Sequence, residues 1–375
     1  MKCPYCKNEN TVVYYSANMP NILSACNAEI LNNVKVLPLE ARLCPNCLLG
    51  FNSKKISDED LKFIYDNYLY ISPLQGIGTS KYEGMVNTLL KYFNQTDRLV
   101  EVGCSEGYLL RELKNRGYEH LVGIEPGPQA AVADNLGIKI MHCYFNENTL
   151  ADELIDGFYL MHVFEHLPDP FSLLSAMKKS LCDSGKIVIE VPNFEGYHHQ
   201  HLFFYNIYFF GTLCKNLKLK IVDFSIEKDA LRVVLVHDTN TIFSPVELPL
   251  SDIGSLLSDI TAKYTRFQAN VDRINELLQD ESLDKLYVWG AGSAGVITLN
   301  QALDRQLAKA KIVVVDGDSQ KWGNYIPGLN IKVQSLEILK GQRLKQLIVC
   351  SSFYNEIAKT MENNNIYAEN IEVLI

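Results

Sequence analysis

Short apolar runs that end in glycine-rich or acidic turns alternate with amphipathic segments through the middle of the chain. The run at 99–102 ends in the glycine turn 103–107, and the leucines within 109–113 then recur at helical spacing. A second apolar run, 121–124, ends in Glu125. This order predicts a strand, a tight turn, a helix and a second strand that carries an acid at its tip.

The same alternation continues to residue 245. It predicts helices at 129–135, 149–154 and 171–181, and strands at 138–145, 157–163, 186–191 and 231–237. Gly185 is expected to end the third of these helices. Right-handed crossovers join such strands into a doubly wound parallel sheet with helices on both faces, which places ligands at the carboxyl ends of the strands.

A second α/β pattern occupies the C-terminal third of the chain. The spacing of apolar residues over 249–279 predicts a long amphipathic helix. Strands are predicted at 286–289, 311–315 and 347–350. The segment 290–295 has the G-x-G-x-x-G spacing of a nucleotide-binding turn, and Asp316 follows the next strand. Three interpretations remain open for this motif: NAD, the nucleotide part of a substrate, or a purely structural role.

These patterns predict an α/β protein with a central Rossmann-like domain and a second, C-terminal Rossmann-like domain. The N-terminal stretch has little apolar periodicity and needs another source of stability. The predicted division is an N-terminal zinc-binding domain with linker at 1–75, the central domain at 76–245, a helical linker at 246–283 and the C-terminal domain at 284–375.

The composition is typical of a globular protein, with 47% hydrophobic and 21% charged residues. The net charge of −9 argues against a protein that coats nucleic acid or an anionic membrane. Neither a signal peptide nor a transmembrane helix is predicted, because no apolar segment of suitable length occurs. We therefore expect a cytoplasmic protein, a monomer or a homodimer, with a small-molecule substrate and neither nucleic acid nor membrane as a partner.

Ten cysteines without a secretion signal suggest thiols and metal ligands rather than disulfides. Two CxxC pairs, Cys3 with Cys6 and Cys44 with Cys47, supply four thiolates, enough for a tetrahedral structural Zn²⁺. Four thiolates leave no open position, so a catalytic zinc is not predicted. A redox dithiol and an iron–sulfur site are the alternatives.

The spacing E-x-G-x-x-x-G at 101–107 favours S-adenosylmethionine (SAM) over a dinucleotide, because no phosphate has to be held. Gly103 and Gly107 let the backbone approach the methionine part of SAM, and Glu125 accepts hydrogen bonds from the two ribose hydroxyls. The alternative is a doubly wound domain whose glycine turn is purely structural. The predicted donor site comprises Glu101, Gly103, Cys104, Gly107, Glu125, Phe145 and His162, with core packing as the alternative for Phe145.

Three of the eight histidines lie within 198–201, directly after the fifth strand of the central domain. A substrate meets the methyl donor there, and a histidine of near-neutral pKa is a suitable general base. A second metal site is not favoured, because no carboxylate with metal-ligand spacing lies nearby in the sequence. Glu165 and His166 follow the fourth strand and are interpreted as groups that cap a helix or bond the backbone.

Nearly the whole chain resembles the sugar C-methyltransferases that act on nucleotide-linked keto-deoxysugars. The motifs that carry the resemblance are, in chain order, CPYC with CPNC, YLYIS, EVGCSEGYLL, GIEPG, VFEHLPDP, HHQHLFFY, LRVVLVH, and VWGAGSAG with VVDGDSQKWGNYIPG. The resemblance implies a zinc-binding start, a central class I SAM domain and a C-terminal Rossmann-like domain. It also implies that a base removes the proton next to a ketone, after which the enediolate carbon attacks the sulfonium methyl group.

The family pattern Tyr-His-Glu-His-Leu-Ser-Tyr is changed here within the histidine segment. His198 stands in place of the tyrosine and Gln200 in place of the glutamate. An amide cannot accept a proton, so His201, which keeps its place, is the predicted base, with Tyr68 or Tyr70 as its hydroxyl partner. The predicted substrate-binding residues are His166, Arg232, Gly292 and Lys321, of which Arg232 and Lys321 are expected to contact the nucleotide phosphates.

The sequence thus predicts methyl transfer from SAM to a nucleotide-activated keto-deoxysugar, at carbon. A first alternative keeps the donor and methylates an oxygen or nitrogen atom of a sugar nucleotide or related small molecule. A second is an NAD-dependent oxidoreductase that uses the glycine motif at 290–295. The third is a zinc-containing binding module that retains the SAM fold without the activity.

Overall fold

The computed structural model describes seven stretches of the chain: 1–67, 79–150, 153–194, 198–227, 230–248, 253–301 and 304–374. Tyr68 and Tyr70, the predicted hydroxyl partners, lie outside the described residues. In these ranges no helix is both long enough and apolar enough to cross a membrane.

The chain forms two compact units, which interleave along the sequence. The first unit comprises Met1–Val13, Ala41–Ser53 and Ile71–Gly254, and the second comprises Tyr14–Glu40, Lys54–Tyr70 and Ser255–Ile375. The four-part linear division remains a prediction beside this grouping.

The helices are α1 Ala28–Leu31, α2 Asp58–Asp66, α3 Glu83–Tyr92, α4 Tyr108–Lys114, α5 Ala130–Ala133, α6 Pro170–Ser180, α7 Ile207–Leu217, α8 Ile253–Gln279, α9 Ser293–Asn300, α10 Arg305–Lys311 and α11 Tyr354–Asn363. The strands are β1 Val12–Pro20, β2 Val36–Leu43, β3 Gly50–Asn52, β4 Leu99–Val102, β5 Leu121–Ile124, β6 Lys139–Met141, β7 Ile155–Met161, β8 Leu181–Pro192, β9 Phe203–Phe204, β10 Leu219–Glu227, β11 Ala230–His237, β12 Leu286–Trp289, β13 Ile312–Val315, β14 Tyr325–Ile326, β15 Ile331–Gln334, β16 Arg343–Val349 and β17 Tyr367–Val373.

The first unit is built on a seven-stranded sheet with the order β10-β11-β8-β7-β4-β5-β6. The five strands from β8 to β6 run parallel, as predicted, whereas β11 is antiparallel to both of its neighbours. The central strands are buried on both faces, which explains why they are nearly continuous apolar runs. This arrangement brings the ends of β4, β5, β7 and β8 to one edge of the sheet.

The expectation for Gly185 was wrong. Helix α6 ends at Ser180, and Gly185 lies inside the long strand β8. A side chain at Gly185 would lie 2.6 Å from Leu181 Cδ1, so the absence of a side chain serves a close approach within the strand.

Two other expectations need correction, and two elements were missed. The strand predicted at 138–145 is confined to β6, and the described part of 149–154 contains no helix. Helix α7 and strand β10 were not predicted, because the aromatic run before residue 210 lacks a clear period. Asn206 starts α7 by accepting a hydrogen bond from the Phe209 N–H at 3.0 Å.

The second unit contains a six-stranded sheet with the order β14-β15-β13-β12-β16-β17. All of its strands are parallel except β14, which pairs antiparallel with β15. Strands β12 and β13 confirm the predicted runs, and β16 is longer than expected. The predicted α/β class is therefore confirmed in both units.

Candidate functional site

The glycine turn after β4 depends on two backbone conformations that favour glycine. Gly103 and Gly107 both have φ of +78°. A Cβ on Gly103 would collide with Val163 Cγ2, and a Cβ on Gly107 would lie 2.5 Å from Leu136 Cδ1. The Gly103 N–H donates to the carbonyl of Ile124 at 2.7 Å, which ties the turn to the end of β5. The turn is thus tightly packed, with its backbone held close to the sheet edge.

The Glu125 carboxylate spans this edge. Its Oε2 accepts a hydrogen bond from the Ser105 N–H at 3.0 Å, and its Oε1 accepts one from the Gly127 N–H at 2.7 Å. These bonds fix the side chain directly after β5, where a ribose is bound in folds of this type. The geometry suits the predicted role of Glu125, which remains a prediction.

Glu101 is buried at 4% exposure within β4. Its Oε2 has no hydrogen-bond partner among the described residues. Burial raises the pKa of the Glu101 carboxyl well above its usual value. A positively charged group beside it would favour the carboxylate, and the ammonium of the methionine part of SAM is such a group. Cys104 follows as a buried thiol, and burial raises its pKa too.

The segment after β7 lies directly against the glycine turn, because Val163 occupies the space above Gly103. His162 has φ of +53°, and its N–H donates to the Glu190 carbonyl at 2.9 Å. A 3-10 helix, Phe164–His166, follows and directs Glu165 inward. Sequence reasoning placed Glu165 at a helix cap, but its side chain is only 1% exposed.

Glu165 is the centre of a buried histidine cluster. Its Oε1 lies 3.3 Å from His162 Nδ1, 3.9 Å from His166 Nε2 and 3.9 Å from His201 Nε2. The histidine segment is held against it by the backbone, since the Leu202 N–H donates to the Glu165 carbonyl at 2.9 Å. We refer to Glu165, His162, His166 and His201 as the Glu165 cluster.

The other members of the histidine segment surround this cluster. The ring centroids of His198 and His201 are 3.8 Å apart. Burial lowers the pKa of His198 well below its usual value, so this imidazole is neutral. The Gln200 carbonyl accepts a hydrogen bond from His166 Nδ1 at 2.9 Å. His198 and Gln200 thus lie beside the predicted base.

A buried ion pair continues from the cluster. His162 Nε2 lies 3.5 Å from Glu190 Oε1, and Arg232 Nε donates to Glu190 Oε2 at 2.7 Å. Burial alone would lower the pKa of His162, but the carboxylates of Glu165 and Glu190 raise it above its usual value. Arg232 is 5% exposed, so its guanidinium serves Glu190 here, and its predicted phosphate contact remains a prediction.

Phe145 lies in the apolar core of the first unit. Its ring packs against Phe158 with centroids 5.6 Å apart. This contact matches the core-packing alternative for Phe145, and its place in the donor site stays a prediction. Glu190 was missed in the sequence, and Glu165 was singled out there only as a group that caps a helix or bonds the backbone. The signal for both was an acid within or beside an otherwise apolar strand end.

The four paired cysteines converge in the first unit. Cys3 Sγ lies 3.6 Å from Cys47 Sγ, and Cys6 Sγ lies 3.4 Å from Cys44 Sγ. Sulfur atoms of a tetrahedral Zn²⁺ site lie about 3.8 Å apart when the Zn–S bonds are 2.3 Å long, so the four residues fit a zinc ion. The contact with Cys47 lowers the pKa of Cys3 to about 5 and raises the pKa of Cys47, so the two sulfur atoms share a proton when no metal is bound.

Both CxxC turns share one local structure. Lys7 and Leu48 have φ of +64° and +63°, and the N–H of each donates to the carbonyl of the first cysteine of its pair. These matching turns direct the sulfur atoms of each pair to the same side. The described residues thus contain the ligand set that the spacing predicted.

The glycine motif of the second unit joins β12 to α9. Gly290 has φ of +130°, and Gly292 precedes the helix as its N-cap. The Asp316 carboxylate accepts hydrogen bonds from the Ala291 N–H at 2.7 Å and from Lys321 Nζ at 3.1 Å. Lys321 is 5% exposed and neutralises this acid, so its predicted phosphate contact remains a prediction.

Comparison with known proteins identifies the central part of the chain. Residues 76–215 match the model of the methyltransferase domain family. The tRNA U34 carboxymethyltransferase of Campylobacter hominis is 26% identical over 232 residues, which cover 53% of this chain and 80% of that protein.

Two further relatives match shorter parts of the chain. The enzyme of the same name from Sulfurimonas denitrificans is 27% identical over 125 residues, 29% of this chain and 40% of that protein. The ubiquinone biosynthesis O-methyltransferase of Aeromonas salmonicida is 26% identical over 104 residues, 26% of this chain and 43% of that protein. The chain therefore spans under half the length of both relatives.

The sheet order, the glycine turn and the domain match together define a class I SAM-dependent methyltransferase domain. The prediction of a SAM-dependent methyltransferase domain is confirmed for this part of the chain. The acceptor is a separate question, which depends on the Glu165 cluster.

Proposed function

We propose that this protein transfers the methyl group of SAM to a carbon atom of a nucleotide-activated keto-deoxysugar. The observation that carries the proposal is the Glu165 cluster, which puts His201 beside a buried carboxylate and next to the donor turn. A base at this position meets an acceptor that approaches the methyl group of SAM.

His201 is the base in this proposal. Its Nε2 takes the proton from the carbon next to the ketone, and the electron pair of that C–H bond forms the enediolate. The enediolate carbon then attacks the methyl carbon in line, the C–S bond breaks, and S-adenosylhomocysteine leaves. Glu165 stabilises the imidazolium at His201, because the two groups are 3.9 Å apart in a buried site. The proton finally passes from His201 to solvent.

Substitution His201→Gln is expected to lower methyl transfer by about 100- to 10,000-fold, the usual contribution of a positioned base. The affinity for SAM should change less than about threefold, because Glu125 and the glycine turn stay intact. The two are measured by a radiolabelled transfer assay and by calorimetry. His142→Gln is the matched control, since His142 pairs with Asp134 in an exposed position. Full turnover in His201→Gln would remove the base from the proposal.

Exchange of deuterium into the sugar distinguishes carbon from other acceptor atoms. A keto-sugar nucleotide is incubated in D₂O with the enzyme, and label at the carbon next to the ketone is followed by NMR. Exchange that depends on His201 supports the proposal. Methylation without exchange would indicate an oxygen or nitrogen acceptor, which is the second candidate. Two features favour it: Gln200 cannot act as a base, and burial lowers the pKa of His198, which makes that imidazole a weak base.

Substitution Glu125→Ala is expected to weaken SAM binding by about 10- to 100-fold. The carboxylate provides charge-assisted hydrogen bonds to two hydroxyls, and a net loss of about 1.4–2.7 kcal/mol corresponds to this range. The carboxylate also accepts hydrogen bonds from the Ser105 and Gly127 N–H groups, so its removal loosens the turn as well. Calorimetry measures the change, with Glu112→Ala on the outer side of α4 as the control. Equal affinities in the two variants would contradict the ribose assignment.

We also infer a structural Zn²⁺ at Cys3, Cys6, Cys44 and Cys47. The sulfur separations and the lowered pKa of Cys3 support it.

In the second unit, Gly292 and Lys321 are proposed to bind the nucleotide part of the substrate. In this proposal the ion pair of Asp316 and Lys321 opens when the nucleotide binds. The variant Asp316→Ala removes the ion-pair partner of Lys321, and the test is whether the KM for the nucleotide-sugar substrate changes.

A further inference from the structure

Three side chains of the Glu165 cluster converge in a way that the proposed reaction does not require. The carboxylate Oε1 of Glu165 lies 3.9 Å from His166 Nε2 and 3.9 Å from His201 Nε2. All three atoms lie within 4.8 Å of one another. Two imidazoles and one carboxylate are a common ligand set for divalent transition metals.

The separations are close to those of a metal site. Ligand atoms about 2.1 Å from an ion lie about 3.0 Å apart at right angles and about 3.4 Å apart at tetrahedral angles. Each nitrogen therefore has to approach the Glu165 oxygen by about 0.5–0.9 Å, which small side-chain rotations provide. The two nitrogens, which lie within 4.8 Å of each other, must also approach by up to about 1.4–1.8 Å.

The hydrogen bond at the far side of His166 prepares this imidazole as a ligand. His166 Nδ1 lies 2.9 Å from the Gln200 carbonyl, which can only accept, so Nδ1 carries the hydrogen. In the neutral ring the lone pair is then on Nε2, the atom that faces Glu165. Histidines that bind metals commonly donate their other N–H to a backbone carbonyl in this way.

The electrostatics of the site favour a cation. Glu165 is 1% exposed, and its Oε2 has no hydrogen-bond partner among the described residues. His162 Nδ1, 3.3 Å from Oε1, compensates part of this buried charge. A cation bound between Glu165 Oε1, His166 Nε2 and His201 Nε2 would compensate it further.

We propose that Glu165, His166 and His201 bind a divalent transition-metal ion, with Zn²⁺ as the best fit to two nitrogens and one oxygen. The ion and the substrate proton compete for the same lone pair on His201 Nε2. Metal binding therefore inhibits methyl transfer, an effect that rests on the proposed function. The site is distinct from the four-cysteine site in ligand type, since it contains no sulfur.

The test is a titration of the zinc-loaded, full-length protein with Co²⁺, after one equivalent of zinc has filled the four-cysteine site. We expect one equivalent of Co²⁺ to bind in addition to the zinc. Its spectrum should show weak visible d–d bands and should lack the intense near-ultraviolet band of cysteine thiolates. Glu165→Gln and His166→Gln should each weaken this binding by at least about 100-fold. His142→Gln should leave it unchanged, because the pair of His142 and Asp134 lacks a second imidazole.

Thermal unfolding of each variant is measured alongside. His166 is the most exposed of the three ligands, so His166→Gln keeps the test valid if Glu165→Gln fails to fold. If the zinc-loaded protein binds no Co²⁺, or if His166→Gln still binds Co²⁺ as tightly as the wild-type protein, the proposal is overturned.

The two proposals fail in different ways. If Co²⁺ binds and no keto-sugar nucleotide is methylated, the metal site stands and the proposed acceptor is wrong. If methylation depends on His201 and no second ion binds, the base stands and the metal site is wrong. If both hold, zinc added in excess of the first equivalent should inhibit the wild-type enzyme, and a chelator too weak to empty the cysteine site should restore it.

Discussion

Substitution Arg232→Met is expected to lower the free energy of unfolding of the first unit by about 3–5 kcal/mol, the usual cost of leaving a buried charge without its partner. The Glu190 side chain is 2% exposed, and Arg232 Nη2 lies 2.5 Å from its Oε2. With the guanidinium removed, His162 at 3.5 Å is the ion-pair partner that Glu190 keeps among the described residues. Urea unfolding, followed by circular dichroism, measures the change.

The surface provides the control. Arg98 pairs with Glu153 where both side chains are more than a third exposed, so Arg98→Met should cost no more than about 1 kcal/mol. A double variant, Arg232→Met with Glu190→Gln, should recover part of the loss, because no buried charge then remains. Equal effects of Arg232→Met and Arg98→Met would contradict the burial argument.

Loss of the zinc ligands is expected to have the second large effect. Cys44→Ser should lower the melting temperature of the first unit by about 10 °C or more, because structural zinc contributes a large binding free energy to folding. The cysteine segments lie in the core of this unit: Cys44, Cys47 and Leu49 are buried in the same apolar cluster as Phe209. The Tyr5 ring packs against Phe171 and Phe209 at 4.7 and 5.2 Å.

Cys214→Ser is the matched control, since Cys214 is a buried thiol of the same core that is no part of the four-cysteine cluster. It should cost about 1 kcal/mol and leave the zinc content at one ion per chain. The Cys44→Ser protein should also lose more methyl transfer than SAM affinity. Strand β3 pairs with β9, two residues after His201, so disorder at the cysteines reaches the histidine segment first. A normal melting temperature in metal-free Cys44→Ser would exclude a structural zinc.

The sequence predicted the parts of the site that depend on neighbours along the chain. The β4–turn–α4–β5 unit follows from apolar runs and two glycines, because its contacts lie within about 30 residues of one another. The four cysteines were equally accessible, since their spacing within each pair reflects one turn structure. These local patterns determine the donor side of the enzyme.

The acceptor side could not be predicted in the same way. Glu165 and His201 are far apart in the sequence and are held together by two contacts: the Leu202 N–H bonds the Glu165 carbonyl, and His166 Nδ1 bonds the Gln200 carbonyl. The sequence argument against a second metal site looked for a carboxylate near 198–201, and the relevant one is supplied by the end of another strand. Glu190 was hidden for a similar reason, since its partner Arg232 lies opposite it on β11.

The pairing of the N-terminal segments with later parts of the chain has a consequence for synthesis on the ribosome. Asn206 Nδ2 donates to the Leu48 carbonyl, 158 positions earlier, and Cys26 pairs with Tyr325. At about 5–20 residues per second, the first of these contacts forms about 10–30 s after Leu48 has been made. During that interval β3 has β2 to pair with, whereas its other partner, β9, has not yet been made. The proposed zinc ion would then hold the two cysteine turns together before β9 exists.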